Sequence, residues 1–268
     1  MVRGSNDLER FGRYGGGAVG DRVEEDAYIV ELVAGFLYLP VGIQLLARAR
    51  RSGGLPERLL GLAFSCWGMG YIGYEGPGLI PALAAVEMPL YHVGRVFFAG
   101  GCLAIALFTQ RVFRPEARWA AGLTWTIGLL FAVALLWPPL RGSWAMVSIG
   151  DLSFWLELGA MAIPCVWMGV EGYSHYARAR RRLRLGIEDA ITCNRFALWG
   201  HFGLLQLAVT GATVPMYLAY ETSQRITGAM DALVGGLELL SIAMLWLAFA
   251  PPAIYRDWVA EASAETAT

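Results

Sequence analysis

The chain has 268 residues, of which 56% are hydrophobic and only 16% are charged, and its mean hydropathy is +0.48. Soluble domains of this size rarely reach such values, so the composition predicts an integral membrane protein rather than a soluble domain. The formal net charge of −1 gives no indication of a nucleic-acid partner, because the charges are segregated along the chain rather than mixed.

Seven apolar segments of membrane-spanning length follow a polar N-terminus. Residues 1–26 are rich in glycine and charge and lack the apolar core of a signal peptide, which predicts a disordered extracytoplasmic tail. Each apolar segment is long enough for a helix across a hydrocarbon layer of about 30 Å. The sequence therefore predicts an all-α fold, with a seven-helix transmembrane bundle over 27–256 and a short cytoplasmic tail over 257–268. The segments are 27–47, 58–80, 84–110, 118–138, 146–177, 188–220 and 229–255.

The arginines predict the orientation, because cytoplasmic loops retain positive charge during insertion. Three links are rich in arginine and alternate with links that have none or only Arg141 or Arg225. This pattern predicts a multi-pass protein of the cell (inner) membrane with its N-terminus outside and its C-terminus inside. The rich links contain Arg48, Arg50, Arg51 and Arg58, then Arg111, Arg114 and Arg118, then Arg178, Arg180, Arg181, Arg182 and Arg184.

The first and fifth segments resemble each other, with a glutamate at the outer end, a proline in the middle and the letters ARAR at the inner end. The second and sixth share a Trp-Gly pair, so we predict a parallel three-plus-one-plus-three pseudo-repeat with the fourth segment as connector. In layout alone the chain resembles the SWEET sugar transporters, but it lacks the proline-glutamine dipeptide of that wider family, and sugar specificity is not implied. Pro40 and Pro164 are then candidate hinges for alternating access.

Ionisable residues from six segments are predicted to lie at a similar height. Counted from the arginine clusters at a rise of about 1.5 Å per residue, they come to roughly 24 to 31 Å, in the outer third of the membrane. One interpretation is the outer headgroup boundary. The other, which we favour, is a wet cavity inside the bundle, because charges within a bundle normally face its interior and pair. Arg95 would then pair with Glu157 or Glu238. The predicted ligand-binding residues are Glu31, Tyr74, Glu75, His92, Arg95, Glu157, His201 and Glu238.

Arg195 is predicted to lie deeper, near the membrane midplane, about 16 Å above Arg184. An arginine at that depth needs a partner. Glu171 is about 10 Å above Arg178, and a long guanidinium side chain can cover that difference in height. We therefore predict a structural ion pair between Glu171 and Arg195 that ties the fifth helix to the sixth.

No cofactor or metal is expected from the sequence. A seven-helix protein with an outside N-terminus resembles a retinal protein, but the chain has no lysine, which excludes a covalent retinal Schiff base. His92 and His201 share a height, yet neither belongs to a two-histidine motif typical of haem ligation. The HExxH motif of zinc enzymes and the GxSxG motif of serine hydrolases are both missing.

Three functions remain open on sequence grounds. The leading prediction is a small-molecule transporter with an outward-facing polar cavity, in which protons couple through the carboxylates or His92. The alternative is a seven-helix ligand-sensing receptor or signalling subunit without a fused effector. Its basic fifth-helix end, at Arg178, Arg180, Arg181 and Arg182, would meet membrane lipids or a cytoplasmic partner. A third is a membrane-embedded enzyme that uses Glu157 or Glu238 with His92 as acid and base.

Overall fold

A computed structural model describes residues 20–221 and 227–265 of the chain. Eight α-helices and one short 3-10 helix occupy these residues, and no strand occurs among them. The α-helices are α1 (Gly20–Ser52), α2 (Leu55–Leu79), α3 (Glu87–Phe113), α4 (Arg118–Leu140), α5 (Leu152–Arg184), α6 (Ala190–Glu221), α7 (Thr227–Phe249) and α8 (Ala253–Glu265), and the 3-10 helix is Pro81–Val86.

Each of the seven apolar segments overlaps one of the helices α1 to α7 over most of its length. Six of them, all but α2, are long and apolar enough to cross a membrane, which is consistent with a polytopic membrane protein. The exception, α2, has 25 residues, but no stretch of it of spanning length reaches the same hydropathy. Its sequence, LPERLLGLAFSCWGMGYIGYEGPGL, contains many glycines as well as Glu57, Arg58 and Glu75.

The helix ends differ from the predicted segment ends at both termini. Residues 1–19 of the predicted tail lie outside the described residues, whereas 20–26 already belong to α1. At the other end, α7 stops at Phe249 rather than near 255, because Pro251 and Pro252 follow and proline has no backbone N–H to continue a helix. A further helix, α8, forms where only a polar tail was predicted, and the Tyr255 hydroxyl accepts a hydrogen bond of 2.8 Å from the Asn194 side chain.

Glycines and a side-chain cap stabilise the turns at the end of the bundle that carries the arginine-rich links, which we call the arginine-rich end. Gly53 and Gly186 both have φ of +69°, a conformation that glycine adopts without the clash a Cβ would cause. Asp189 precedes α6 and accepts hydrogen bonds from the Thr192 hydroxyl at 2.6 Å and the Thr192 backbone N–H at 2.8 Å. These bonds favour the ionised carboxylate and lower the pKa of Asp189 below its ordinary value.

The helices are arranged as two groups of three. In the first group α1 packs on α2 and α2 on α3, and in the second α5 packs on α6 and α6 on α7. The two groups meet where α3 contacts α5 and where α7 contacts α1, so the six helices form a ring in chain order. Helix α4 packs outside this ring against α3 and α5.

Glycines bring helices within each group into backbone contact. A Cβ added to Gly42 of α1 would lie 2.6 Å from the backbone N of Ser65 in α2, and one on Gly73 of α2 would lie 2.8 Å from the Cα of Gly94 in α3. In the second group, a Cβ on Gly203 of α6 would lie 2.6 Å from the backbone N of Gly169 in α5. These interfaces therefore leave no room for a side chain, as in other close-packed membrane helices.

Replacing Gly203 by alanine is expected to lower the melting temperature of the detergent-purified protein. The added methyl must push α5 from α6, and such overpacking costs about 1–3 kcal/mol. The matched control is Gly211→Ala on the same helix, where an added Cβ meets nothing within 4 Å. That change should leave stability unchanged or raise it slightly, since alanine is the better helix former. Equal melting temperatures for the two variants would contradict the close α5–α6 packing.

Aromatic side chains close the centre of the bundle toward the arginine-rich end. We call Phe64, Phe108, Trp199, Phe202 and Phe249 the aromatic layer. Ring centroids within it lie 5.2 Å apart for Phe108 and Trp199, 5.6 Å for Trp199 and Phe202, and 5.9 Å for Phe64 and Phe202. The aromatic layer contains residues of α2, α3, α6 and α7, so it connects the two groups.

Candidate functional site

A cavity of about 180 Å³ lies between the two helix groups, on the other side of the aromatic layer from the arginine-rich end. It extends from Val147 in the α4–α5 loop and Tyr217 near the end of α6 down to Trp67, Cys102 and Gln206 in the middle of their helices. Helices α2, α3, α5, α6 and α7 supply its walls. The charged side chains among the described lining residues are Glu75, Glu157 and Glu238.

Glu238 lies at the bottom of this cavity and is held by uncharged donors. The hydroxyls of Tyr38 and Tyr71 each donate to Glu238 Oε1 at 2.8 Å, and Gln206 Nε2 donates to Oε2 at 2.8 Å. Gln206 also donates to Ser241 Oγ at 2.8 Å. The carboxylate is only 2% exposed and makes no ion pair with a described residue. Its network joins α1, α2, α6 and α7, and thus crosses the α1–α7 boundary between the groups.

Glu157 is the second buried carboxylate of the site, and it is paired. Arg95, which is 0% exposed, donates to Glu157 Oε2 from Nη2 at 2.7 Å and from Nε at 3.0 Å. The Nη2 atom also donates to the backbone carbonyl of Ala134 in α4 at 3.1 Å. The ion pair of Arg95 with Glu157 crosses the α3–α5 boundary. Of the two partners predicted for Arg95, Glu157 and Glu238, the structure shows Glu157.

Aromatic rings form much of the cavity wall. Tyr71 and Phe98 meet with centroids 4.9 Å apart and planes inclined by 73°, and Tyr74 and Tyr91 meet at 5.0 Å and 80°. On the opposite side, the rings of Phe154 and Tyr217 have centroids 5.0 Å apart. The wall therefore contains rings in several planes, held by the edge-to-face contacts that aromatic pairs prefer.

The structure brings together some of the predicted ligand-binding residues but not others. Tyr74, Glu75, Glu157 and Glu238 line the cavity, and Arg95 lies directly behind Glu157. His92 does not line it; its Nε2 is 3.2 Å from the carbonyl oxygen of Trp144, and its ring packs on those of Trp144 and Tyr91. The side chain of Glu31 lies outside the described part of the structure.

His201 is placed away from the cavity, contrary to the predicted grouping. It is exposed, its Nδ1 lies 2.7 Å from the carbonyl oxygen of Ala197, and its ring packs on Tyr173. The face of α6 that lines the cavity carries Gln206, Thr210 and Thr213. His201 precedes Gln206 by five residues, which corresponds to a rotation of about 140° around the helix axis. His201 therefore lies on another face of α6. The rise per residue predicts the height of His201 along the helix, but it does not predict the direction in which the side chain points.

The predicted pair between Glu171 and Arg195 is not formed between these two described residues. Instead, Arg114 at the end of α3 donates from Nε to Glu171 Oε1 at 2.7 Å, and this bond raises the pKa of the Arg114 guanidinium. Arg195 is exposed on α6. The prediction considered only the following helix, α6, as the source of a partner for Glu171. In the structure α3 also lies beside α5, and Arg114 at its end reaches Glu171.

Sequence reasoning missed the uncharged side chains that hydrogen-bond to Glu238. Gln206 is an amide in the middle of an apolar helix and is 8% exposed, which is a detectable signal, since a buried polar group there needs partners. Tyr38 and Tyr71 gave no such signal, because tyrosines in apolar segments are usually packing or interfacial residues. Within the described residues, no group of three or more His, Cys, Asp and Glu side chains is placed to hold a metal ion.

Comparison with protein-family models, with curated proteins and with solved structures gives no match for this chain. The chemistry of the site therefore follows from its geometry. An aromatic cavity with one buried carboxylate among neutral donors and another neutralised by arginine is suited to bind a small molecule.

Proposed function

We propose that the protein is a small-molecule carrier of the cell (inner) membrane, in which α1 to α7 all cross the bilayer with the N-terminus outside and the C-terminus inside. The observation that carries this proposal is the position of the cavity between two helix groups that differ in how they are joined. Contacts inside the groups include backbone packing at glycines, and contacts between the groups include polar pairs around a cavity.

The two kinds of interface favour movement between the groups over movement within them. Glycine-packed helices lose many backbone contacts when they separate, so α1, α2 and α3 are suited to move as one unit, as are α5 and α6. Between the groups, by contrast, Tyr38 meets Glu238, Arg95 meets Glu157 and Arg114 meets Glu171. Polar pairs of this kind can exchange partners or water, which suits rigid-body rocking.

The helix contacts of the two groups also support a duplicated, three-plus-one-plus-three origin. In each group the middle helix packs on both of its neighbours in the chain, and the two boundaries, α3 with α5 and α7 with α1, are equivalent under such a repeat. Each of these boundaries carries a buried glutamate, Glu157 or Glu238. Pro40 and Pro164 lie inside the corresponding helices α1 and α5.

A carrier must expose the bottom of its cavity to both sides in turn, and single cysteines test this directly. In a background lacking Cys66, Cys102, Cys165 and Cys193, Thr213→Cys reports on the cavity wall. Thr109→Cys reports on the path beyond the cavity. Thr109 is buried on α3, seven residues from the cavity residue Cys102 toward the arginine-rich end and on the same helix face. The probe is a membrane-impermeant methanethiosulfonate reagent, applied to intact cells or to inverted vesicles.

We expect Thr213→Cys to react from the outside and Thr109→Cys to react from the inside, because a carrier populates conformations open to each side. The matched control is Thr126→Cys on the exposed surface of α4, away from the cavity, which reports any modification that does not depend on the cavity. Thr109→Cys that stays unmodified from both sides, with Thr213→Cys modified, would contradict transport and favour a receptor.

The receptor remains the second candidate because of one feature of α5. This helix has 33 residues, and its last turns carry Arg178, Arg180, Arg181 and Arg182 at exposed positions. An exposed basic helix end suits anionic lipid headgroups or an acidic cytoplasmic partner. In this reading the cavity binds a ligand while the aromatic layer stays closed.

A further inference from the structure

We propose that the ligand of the cavity is an organic cation: an ammonium group attached to a small, flat, apolar body. This inference rests on the proposed function in so far as it takes the cavity to be a ligand site. The first observation is the environment of the Glu238 side chain. Its carboxylate accepts three hydrogen bonds from neutral side chains, is almost completely buried, and has no ion-pair partner among the described residues. An ammonium group would supply the missing opposite charge.

The second observation is that no other cation is available to the cavity from the described residues. Its described lining contains no arginine or histidine, and the chain has no lysine. Arg95, whose guanidinium lies behind the lining residue Glu157, is bound to that carboxylate. Among the described residues, Glu238 is therefore not matched by a basic side chain, so its end of the cavity opposes the binding of an anion and favours a cation.

The aromatic wall suits the same ligand. The face of a tyrosine, tryptophan or phenylalanine ring attracts an ammonium group within about 6 Å of its centroid, and more strongly where water is excluded. Trp67, Tyr71, Tyr74, Tyr91 and Phe98 supply such rings from α2 and α3. They lie on the lining that also carries the Glu238 carboxylate, which places charge and ring contacts within reach of one small molecule.

A sugar or other polyol fits less well, because several hydrogen-bond donors of the wall already bond to the protein itself. The hydroxyls of Thr210 and Thr213 donate to the carbonyl oxygens of Gln206 and Val209 in their own helix. The Gln206 amide donates to Glu238 and Ser241, and the Tyr71 hydroxyl donates to Glu238. A ligand with many hydroxyl oxygens would therefore compete with these internal bonds for donors, which costs affinity.

The volume sets the size of the ligand. At about 180 Å³ the cavity is smaller than most sites for drug-sized molecules, which begin at about 300 Å³. An amine with a single aromatic ring is a suitable probe. We choose 2-phenylethylammonium, with the neutral 2-phenylethanol and the anionic 3-phenylpropanoate as matched compounds that differ mainly in the polar group.

The experiment measures binding of the three probes to the full chain, purified in detergent, by ligand-dependent melting and by equilibrium titration. A ligand that binds only the folded state raises the melting temperature with concentration. We expect 2-phenylethylammonium to bind at least about tenfold more tightly than 2-phenylethanol, and 3-phenylpropanoate to bind least. Glu238→Gln should remove this tenfold preference and leave the affinity for 2-phenylethanol unchanged.

The control variant is Glu188→Gln, in an ion pair with the exposed Arg182 near the arginine-rich end. It should bind all three probes like the unaltered protein. The comparison of probes on the unaltered protein tests the charge preference even where Glu238→Gln does not fold. Equal affinities for the three probes, tighter binding of the anion, no binding of the ammonium probe, or an undiminished ammonium preference in Glu238→Gln would each overturn the proposal.

Failure of this inference is distinguishable from failure of the proposed function. If the ammonium probe does not bind but the Thr109→Cys and Thr213→Cys variants react from opposite sides, the carrier stands and the ligand class is wrong. If the ammonium probe binds with the expected preference but Thr109→Cys stays unmodified, the cation site stands and transport is wrong.

Discussion

Replacing Arg95 by leucine is expected to lower the free energy of unfolding by about 3–5 kcal/mol, the typical cost of leaving one member of a buried ion pair without its partner. Arg95 is fully buried, and the Glu157 carboxylate that it binds would remain without its counter-charge. The measurement is denaturant or thermal unfolding of the full chain in detergent micelles, followed by circular dichroism.

The double variant Arg95→Leu with Glu157→Leu should recover much of that loss, because two apolar side chains can replace a buried ion pair at little cost. The pair of the exposed Arg182 and the half-buried Glu188, with atoms 3.7 Å apart, is the control. Arg182→Leu should change stability by no more than about 1 kcal/mol. A double variant whose loss equals the sum of the two single losses would show that Arg95 and Glu157 do not stabilise the fold as a pair.

Replacing Arg114 by leucine is expected to destabilise the protein by about 1–3 kcal/mol, the cost of leaving a buried polar group without its partner. The reason is that Glu171 is only 2% exposed and accepts the hydrogen bond of Arg114, whose own side chain is 41% exposed. The effect should therefore be smaller than that of Arg95→Leu, and unfolding in detergent compares the two directly.

Arg195→Leu is the matched control for this second prediction, because it tests the partner that sequence reasoning assigned to Glu171. Arg195 is exposed, so its replacement should change the free energy of unfolding by no more than about 0.5 kcal/mol. A large loss in Arg195→Leu with little change in Arg114→Leu would reverse the assignment and place Glu171 beside α6 instead of α3.

The contrast between Glu157 and His201 shows what the sequence of a membrane protein can and cannot predict. The rise per residue predicts a similar height for both, because it converts sequence distance along a helix directly into depth. Only Glu157 faces the cavity. In a soluble helix the polar and apolar faces differ and reveal the inward direction, but here both the lipid-facing and the packed faces are apolar, so the direction stays undetermined.

The same limit explains the mixed outcome for the fold. The long apolar segments located α1 to α7 well, since spanning length is a strong signal. The break at Pro251 and Pro252 and the helix α8 were missed, because apolar character continues across the break as far as Tyr255. The partner of Glu171 was also missed. It depends on which helices are neighbours in space, and a single sequence carries no such information.

The contact between Arg95 and Ala134 has a consequence for α4. In an uninterrupted helix, the N–H of residue 138 would donate to the carbonyl of Ala134, but Pro138 has no N–H. The guanidinium of Arg95 takes that vacant donor position at 3.1 Å. Any substitution that restores a backbone N–H at position 138 would therefore compete with Arg95 for the carbonyl of Ala134. The proline of the peripheral helix α4 thus supports the position of the buried Arg95 guanidinium.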